Sequence, residues 1–347
     1  MKVGIIGTGY ISTFHAAAYN KLGVVITAVC DVKKDNYLSK KELYGQAVFY
    51  ENYEDLLQDD SIDAVSICVT NRFHYDVVKK AVAAEKHIFC EKTMTDSEAK
   101  SAELLSLLKN YRKNFQIGYM KRFFPATQKV LQLLPELGEV FSAYSRSYQG
   151  FEWEHDIYNN EGWKPKEGKG SAIRQLYAGG MLNMAGSHLI DLMNLFLGIP
   201  KSVYALNWSP KDYDVEMSGH GLFGLNNGGT AHLDVCSSPY SRDGLRQDGW
   251  DEKIEINGTK GRIEIFYVIW DKPMNNAPLV RYYSEKDKIY TEFTFKKIDP
   301  FHEQIVAFID NCDKGIKSVP GAEEGYAVDK ILSACYESAQ KKEVVRL

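Results

Sequence analysis

Lys2-Val3-Gly4-Ile5-Ile6-Gly7-Thr8-Gly9-Tyr10-Ile11-Ser12 opens the chain, and the fold is decided by how this stretch is read. Lys2–Ile6 is a short apolar run, which reads as a buried strand. Gly7 and Gly9 follow at once, permitting a tight turn and a close backbone approach to a ligand. Tyr10–Leu22 reads as a helix, Val24–Cys30 as a second apolar strand, and Asp31 ends that strand. This is the βαβ layout of a dinucleotide site. The helix N-terminus faces a pyrophosphate, and a carboxylate closing the second strand accepts from the ribose hydroxyls. Gly7, Thr8, Gly9, Tyr10, Ile11 and Asp31 are therefore candidate cofactor contacts. The third glycine of the fingerprint is replaced by Ser12, a small residue. A full match to the spacing, Gly219-His-Gly-Leu-Phe-Gly224, is a decoy, because the hairpin signal Asn226-Asn-Gly-Gly229 follows and no helix opens there.

Outward from this unit the alternation continues. Asn52–Gln58 reads as a short helix, Ile62–Val69 as a strand, Phe73–Glu85 as a helix, His87–Cys90 as a strand, Asp96–Arg112 as a helix and Phe115–Gly118 as one more strand. Strands alternating with helices indicate a doubly wound α/β sheet. In such a sheet ligands bind at the carboxyl ends of the strands. Val69, Thr70, Asn71 and His74 fall on that rim and are further candidates for the dinucleotide, against the plainer role of ending a strand and capping a helix.

The same rim carries Lys86-His-Ile-Phe-Cys-Glu91-Lys92-Thr-Met-Thr95. Thr95-Asp-Ser-Glu98 has the spacing of a capping box, so Glu91 and Lys92 stand on a turn between a strand and a helix. A lysine on a loop tip is usually only solvated. Beside a cofactor, however, its ammonium can stabilise a developing alkoxide or donate to a carbonyl oxygen.

Beyond Lys121-Arg122-Phe-Phe-Pro125 and a helix to Leu134 the period changes. Glu139–Gln149 reads as extended. Gly150–Ala178 reads as a long aromatic loop with Trp153, Tyr158, Trp163 and Tyr177, which suits a cover over a substrate better than disorder. Gly180–Leu197 reads as a helix, with Met184, Ser187, His188 and Asp191 grouped at helical spacing. Strands and hairpins run to Lys297, and Pro300–Cys312 and Glu323–Lys341 close the chain as helices. The division expected is residues 1–120 as a nucleotide-binding domain and 121–347 as a second, α+β domain with an open, mostly antiparallel sheet.

Composition bounds the function. At 347 residues with 44% hydrophobic and 25% charged residues, the chain is an ordinary globular protein, long enough for two domains. A formal net charge of −4 without a dense basic run argues against a nucleic-acid surface. The apolar stretch Gly179–Pro200 carries His188 and Asp191 in its middle, which suits a buried helix and not a membrane span. Six scattered cysteines show no CxxC and no metal-like spacing, and Met1 leads straight into a strand, so a reducing cytoplasm and no metal are expected.

Taken together, Gly7-x-Gly9-x-x-Ser12, Val69-Thr-Asn71 with His74, Glu91-Lys92, Lys121-Arg122-Phe123, Gly179-Gly180…Gly186-x-His188-x-x-Asp191 and Tyr336-x-Ser338-Ala339 resemble the glucose–fructose oxidoreductase and inositol dehydrogenase (Gfo/Idh/MocA) family. The likeness spans nearly the whole chain. It implies a Rossmann domain plus an open-sheet domain, catalysis in a cleft between them on a sugar or cyclitol, and a homodimer or homotetramer. It carries the substrate-orienting lysine to Lys92 and the proton-handling histidine to His188. Glu91, Lys92 and Arg122 then join the cofactor contacts. Lys92, Arg122, Trp153, Trp163, Met184 and His188 become the candidate substrate contacts.

Three departures stand out: Thr93 replaces a proline after Lys92, Val69 leads the Thr-Asn pair, and Met184 stands where a carboxylate is common. A trans Lys92–Thr93 bond is expected, because the cis form is disfavoured outside X–Pro. Without a carboxylate at 184, His188 should titrate no higher than an ordinary histidine, about 6.5. The function expected is an NAD-dependent oxidoreductase of a sugar, sugar derivative or cyclitol, with NADP as the lesser cofactor. The alternatives are an NAD-retaining glycosidase or epimerase and a non-catalytic dinucleotide or sugar sensor.

Overall fold

Six short apolar runs pair as one parallel sheet in the computed structural model. The structure describes the chain apart from residues 151–157, 160–161, 164–177, 211–214, 239 and 241, with 158–159 and 162–163 described by backbone alone. The strands are β1 Lys2–Ile6, β2 Val25–Cys30, β3 Val48–Tyr50, β4 Ala64–Ile67, β5 His87–Cys90 and β6 Phe115–Ile117. Their order is β3-β2-β1-β4-β5-β6, all parallel. β4 and β6 are buried throughout, as expected of strands covered on both faces. The chain reverses direction across the sheet between β1 and β4, so the switch point lies where Gly7 and Val69 leave their strands.

Helix α1, Ile11–Leu22, ends at Gly23 with φ 68°, a left-handed cap. Tyr19 of α1 is buried in a cluster with Val3, Ile5, Val29 and Phe89, together with Ile305 and Phe308 from the helix Pro300–Lys314. Phe14 stacks on Phe301 with ring centroids 4.6 Å apart. This packing corrects the expected division of the chain. The first unit is Met1–Met120 with Asp299–Asp329, so Asp299–Asp329 leaves the second domain to which 121–347 assigned it. An amphipathic pattern marks a helix but not the sheet it covers. Three short elements also escaped the sequence reading: α2 Lys34–Leu38, α3 Lys41–Tyr44 and strand β3, all too short for a periodic signal. The other helices of this unit are α4 Tyr53–Leu57, α5 His74–Ala83 and α6 Glu98–Leu108.

The second unit comprises Lys121–Ile298 and Lys330–Leu347. Helix α7, Pro125–Leu133, begins with proline in its first turn, where the missing N–H costs nothing. The sheet strands are β7 Val140–Gln149, β10 Ser202–Trp208, β11 Ser218–Gly224, β12 Thr230–Ser237, β13 Trp250–Gly258, β14 Gly261–Phe266, β15 Leu279–Ser284, β16 Ile289–Thr294 and β17 Val345–Arg346. Their order is β16-β15-β14-β13-β7-β12-β11-β10-β17. Only β7 and β12 run parallel; the other pairs are antiparallel. Alternate residues of β7 and β13 are buried, the mark of a sheet covered on one face. The expected pairing of an α/β domain with a mostly antiparallel, mixed-sheet domain is the one observed. Of the aromatic stretch 151–177, a two-strand ribbon, β8 Tyr158–Asn159 with β9 Gly162–Trp163, is described by its backbone; Trp153 and the rest of the expected substrate loop lie outside the described residues.

Candidate active site

Gly7 closes β1 against the end of β4 with φ +93°. A Cβ there would stand 2.8 Å from the Cys68 carbonyl carbon and the Val69 nitrogen, which only glycine avoids. At Gly9 an added Cβ meets nothing within 4 Å, so space lies open over the start of α1. No acidic residue stands in the first turn of α1, which leaves its positive end to an anion. Ser12 accounts for the incomplete fingerprint. Its buried hydroxyl lies 2.7 Å from Gly9 O, as donor, and 2.8 Å from the Tyr44 hydroxyl, which must then donate to it. Asp31 Oδ2 accepts from the N–H and the hydroxyl of Thr8 at 2.8 and 2.9 Å, and Oδ1 accepts from Lys33 N–H at 2.8 Å. Lys40, not singled out by the sequence, donates from Nζ to Thr8 O at 3.0 Å. An open cradle at a helix start with a fixed carboxylate beside it fits a dinucleotide.

The turn after β5 is braced from several directions. Glu91 is buried and its Oε1 lies 2.8 Å from His15 Nε2; the other ring nitrogen of His15 is 3.2 Å from Ser66 Oγ, which pairs with the Tyr19 hydroxyl at 2.7 Å. Glu91 thus ties Lys92's turn to α1 within the first unit. Asn71 Nδ2 donates to Thr93 Oγ1 at 2.9 Å. Buried His74 sets one ring nitrogen 2.7 Å from Thr93 O and the other 2.9 Å from Val69 O. Burial lowers the His74 pKa while the two carbonyls oppose the shift. A neutral ring donates to only one of them at a time. Both nitrogens face backbone, so the structure gives His74 a bracing place between two loops.

Two expectations about this turn are corrected. The Lys92–Thr93 bond is cis. The expectation of a trans bond weighed only the local preference and left out the hydrogen bonds that surround Thr93. The capping box also fails to form, since α6 starts at Glu98 behind Ser97, whose side chain makes no capping bond. Thr95 Oγ1 accepts instead from Ser97 N–H at 3.1 Å and lies 2.6 Å from Ser101 Oγ.

In the second unit, His188 stands on the helix Ser187–Leu197, which a π-helical segment, Leu182–Gly186, precedes. The π turn breaks the α-helical spacing on which Met184 was set one turn before His188. Both residues nevertheless stay partly exposed, while Asp191 is buried. Arg122 Nε donates to Asp191 Oδ2 at 2.8 Å and Nη2 to Oδ1 at 2.6 Å. This buried, two-pronged pair fixes the helix below His188 and gives Arg122 a structural bond beyond the expected ligand contacts. The start of the helix is held by Glu216. Its carboxylate accepts from Gly180 N–H at 3.0 Å, Leu182 N–H at 2.9 Å and the Tyr336 hydroxyl at 2.9 Å. Burial raises its pKa, and these donors pull it back down.

A family model described as an oxidoreductase family with an NAD-binding Rossmann fold matches residues 1–119, and a GFO/IDH/MocA C-terminal domain model matches residues 135–264. The chain belongs to the Gfo/Idh/MocA oxidoreductase family. As a member it is an oxidoreductase of CH–OH donors with an NAD(P)-binding Rossmann domain. This Gfo/Idh/MocA chain is 28% identical to a D-xylose 1-dehydrogenase (NADP(+)) of Haloferax volcanii, over 100% of both chains. It is 25% identical to a D-glucoside 3-dehydrogenase of Escherichia coli, over 98% of this chain and 95% of that one. A solved levoglucosan dehydrogenase in complex with NADH and levoglucosan shares the fold, with a TM-score of 0.82 over 100% of this chain and 99% of that one, at 17% identity.

Sequence reasoning passed over Glu216 and His15 in this Gfo/Idh/MocA chain. The pair Gly179-Gly180 was the available signal for Glu216, because two small residues before a helix mark a close approach by something. His15 carried none: one histidine inside a helix does not disclose a partner 76 residues away.

Proposed function

We propose that the chain oxidises a secondary alcohol of a sugar, sugar derivative or cyclitol, or reduces the matching ketone, with NAD preferred over NADP. The observation that carries this is Lys92 at the carboxyl end of β5, in the same sheet as the open cradle at Gly9 and the Asp31 carboxylate. Gly7, Thr8, Gly9, Tyr10 and Ile11 would hold the pyrophosphate, Asp31 the ribose, and Val69, Thr70 and Asn71 the rim of the strand switch. When bound, the nicotinamide supplies the hydride acceptor or donor. Lys92 donates a hydrogen bond to the reacting oxygen, and His188 takes the hydroxyl proton on oxidation or returns it on reduction. The Arg122–Asp191 pair and the Glu216 bonds hold the helix from which His188 acts.

The experiment is NADH formation over a panel of aldoses, glucosides and cyclitols. Turnover with one of them identifies the substrate class. Tight dinucleotide binding with no turnover on any of them overturns the dehydrogenase reading in favour of a sensor. A homodimer or homotetramer is the assembly proposed, and sedimentation tests it. No helix among the described residues is long and apolar enough to cross a membrane.

Cofactor preference follows from Asp31. A 2′-phosphate meets a like charge there and forfeits hydrogen bonds to a carboxylate, each worth about 1.5–3 kcal/mol. The expected preference for NADH over NADPH is roughly ten- to hundredfold, held towards the lower end by Lys33, Lys34 and Lys40 nearby. Titration of both cofactors by fluorescence decides it, and tighter NADPH binding overturns the assignment.

A further inference from the structure

We infer that Asp329, on the last helix Ala322–Lys341, is a positioning residue for Lys92: its buried carboxylate clamps the Thr95 N–H and the Ser101 hydroxyl and so fixes the turn on which Lys92 stands. The inference rests on the catalytic reading of Lys92. Asp329 Oδ2 accepts from Thr95 N–H at 2.9 Å and from Ser101 Oγ at 2.6 Å. Thr93 Oγ1 in turn donates to Thr95 O at 2.9 Å and accepts from Asn71. The bonds form a continuous chain from Asp329 through Thr95 to Thr93, the neighbour of Lys92, all inside the first unit.

A carboxylate is a costly way to fill this place. Burial pushes its pKa up to about 7, against the pull of Ser101, Thr95 and the backbone of Met94, and nearby Asp96 adds to the rise. The other charged or titratable groups around it are Lys100, paired with Asp96 at 2.8 Å, Cys90 in β5, and Glu98, which faces the Tyr326 hydroxyl at 3.5 Å. An apolar residue would avoid this penalty but would leave the buried Thr95 N–H and Ser101 hydroxyl without their acceptor. What the carboxylate adds is two charge-assisted bonds to one oxygen, which restrain both Thr95 and Ser101.

The test compares wild type, Asp329→Asn, Ser101→Ala and Lys92→Met. Small displacements of a catalytic group lower turnover with little effect on binding, so Asp329→Asn is expected to lower kcat about tenfold with NADH affinity unchanged. Ser101→Ala, which keeps the carboxylate, is expected to lower it less, and it serves if Asp329→Asn does not fold. The direct readout is the Thr95 amide resonance in threonine-labelled protein. It should titrate near neutrality in wild type and in Lys92→Met, and stay fixed in Asp329→Asn. A Thr95 amide resonance unmoved between wild type and Asp329→Asn, or wild-type kcat in both Asp329→Asn and Ser101→Ala while Lys92→Met is inactive, overturns the inference. An active Lys92→Met with a titrating Thr95 amide overturns instead the catalytic reading on which it rests.

Discussion

Lys92→Met is expected to lower kcat at least about a hundredfold, the range seen when one donor to the transition state is lost. Methionine keeps most of the apolar stem and removes the ammonium. The neighbours of Lys92 have bonds of their own: Glu91 is held by His15, Thr93 by Asn71, and His74 lies against the Thr93 carbonyl. NADH affinity and melting temperature should therefore stay close to wild type, which separates loss of chemistry from loss of structure. Steady-state kinetics with the substrate found in the panel, alongside NADH titration, make the measurement. Near-normal turnover in Lys92→Met would sink the catalytic role.

Gly180→Ala should damage stability more than any other single methyl group discussed above. A Cβ at residue 180 would lie 1.9 Å from the Glu216 carbonyl oxygen and 2.8 Å from its carbon. Those are backbone atoms of a segment that also accepts from Met181 N–H at 3.0 Å, so the clash cannot be relieved by a rotamer. Relief means pulling the helix start away from Glu216 and breaking the carboxylate's bonds to Gly180 and Leu182. Overpacking together with a broken buried network costs at least about 3 kcal/mol, a melting shift of roughly 6–12 °C for a unit of this size. A melting temperature within the error of wild type would mean that the helix start is held by something other than Glu216.

Glu216 itself makes stability depend on pH. Its folded pKa is raised, so on raising the pH the unfolded chain loses this proton first. The contribution is therefore full below the unfolded carboxylate range and is lost as pH rises through the folded pKa. Glu216→Gln, which cannot ionise, should flatten that part of the stability profile while its one carbonyl oxygen can still accept from both amides, which share Oε1.

Much of this architecture was legible because the signals were local. The apolar runs of β1, β4 and β5, the glycines at 7 and 9 and the acid at 31 lie within reach of one another along the chain, and the doubly wound sheet follows from their order. Lys92 stood out for the same reason, at the end of a readable strand, whereas His188 lies in the middle of its predicted helix and was singled out only by the family resemblance. What stayed hidden depends on distant partners. Thr95 meets Asp329 across 234 residues, and Gly180 meets Glu216 across 36. Thr95 has the right spacing for a capping box, yet its hydroxyl is drawn to Ser97 and Ser101, a competition that spacing alone cannot reveal. Asp299–Asp329 has a clear helical pattern, but what it packs against is a tertiary fact.

The π-helical segment Leu182–Gly186 behaves as a one-residue insertion in a helix whose start is pinned at Gly180 and Leu182 and whose body is pinned at Asp191. Between two fixed points an extra residue cannot be absorbed by sliding, so it widens one turn. Deleting one residue from this stretch would close the widened turn and restore the α-helical count while leaving Asp191 on Arg122 and His188 above it. The segment therefore works as slack: a one-residue deletion along 182–186 should be tolerated, whereas a one-residue insertion has no second turn to widen and must break one of the two pins.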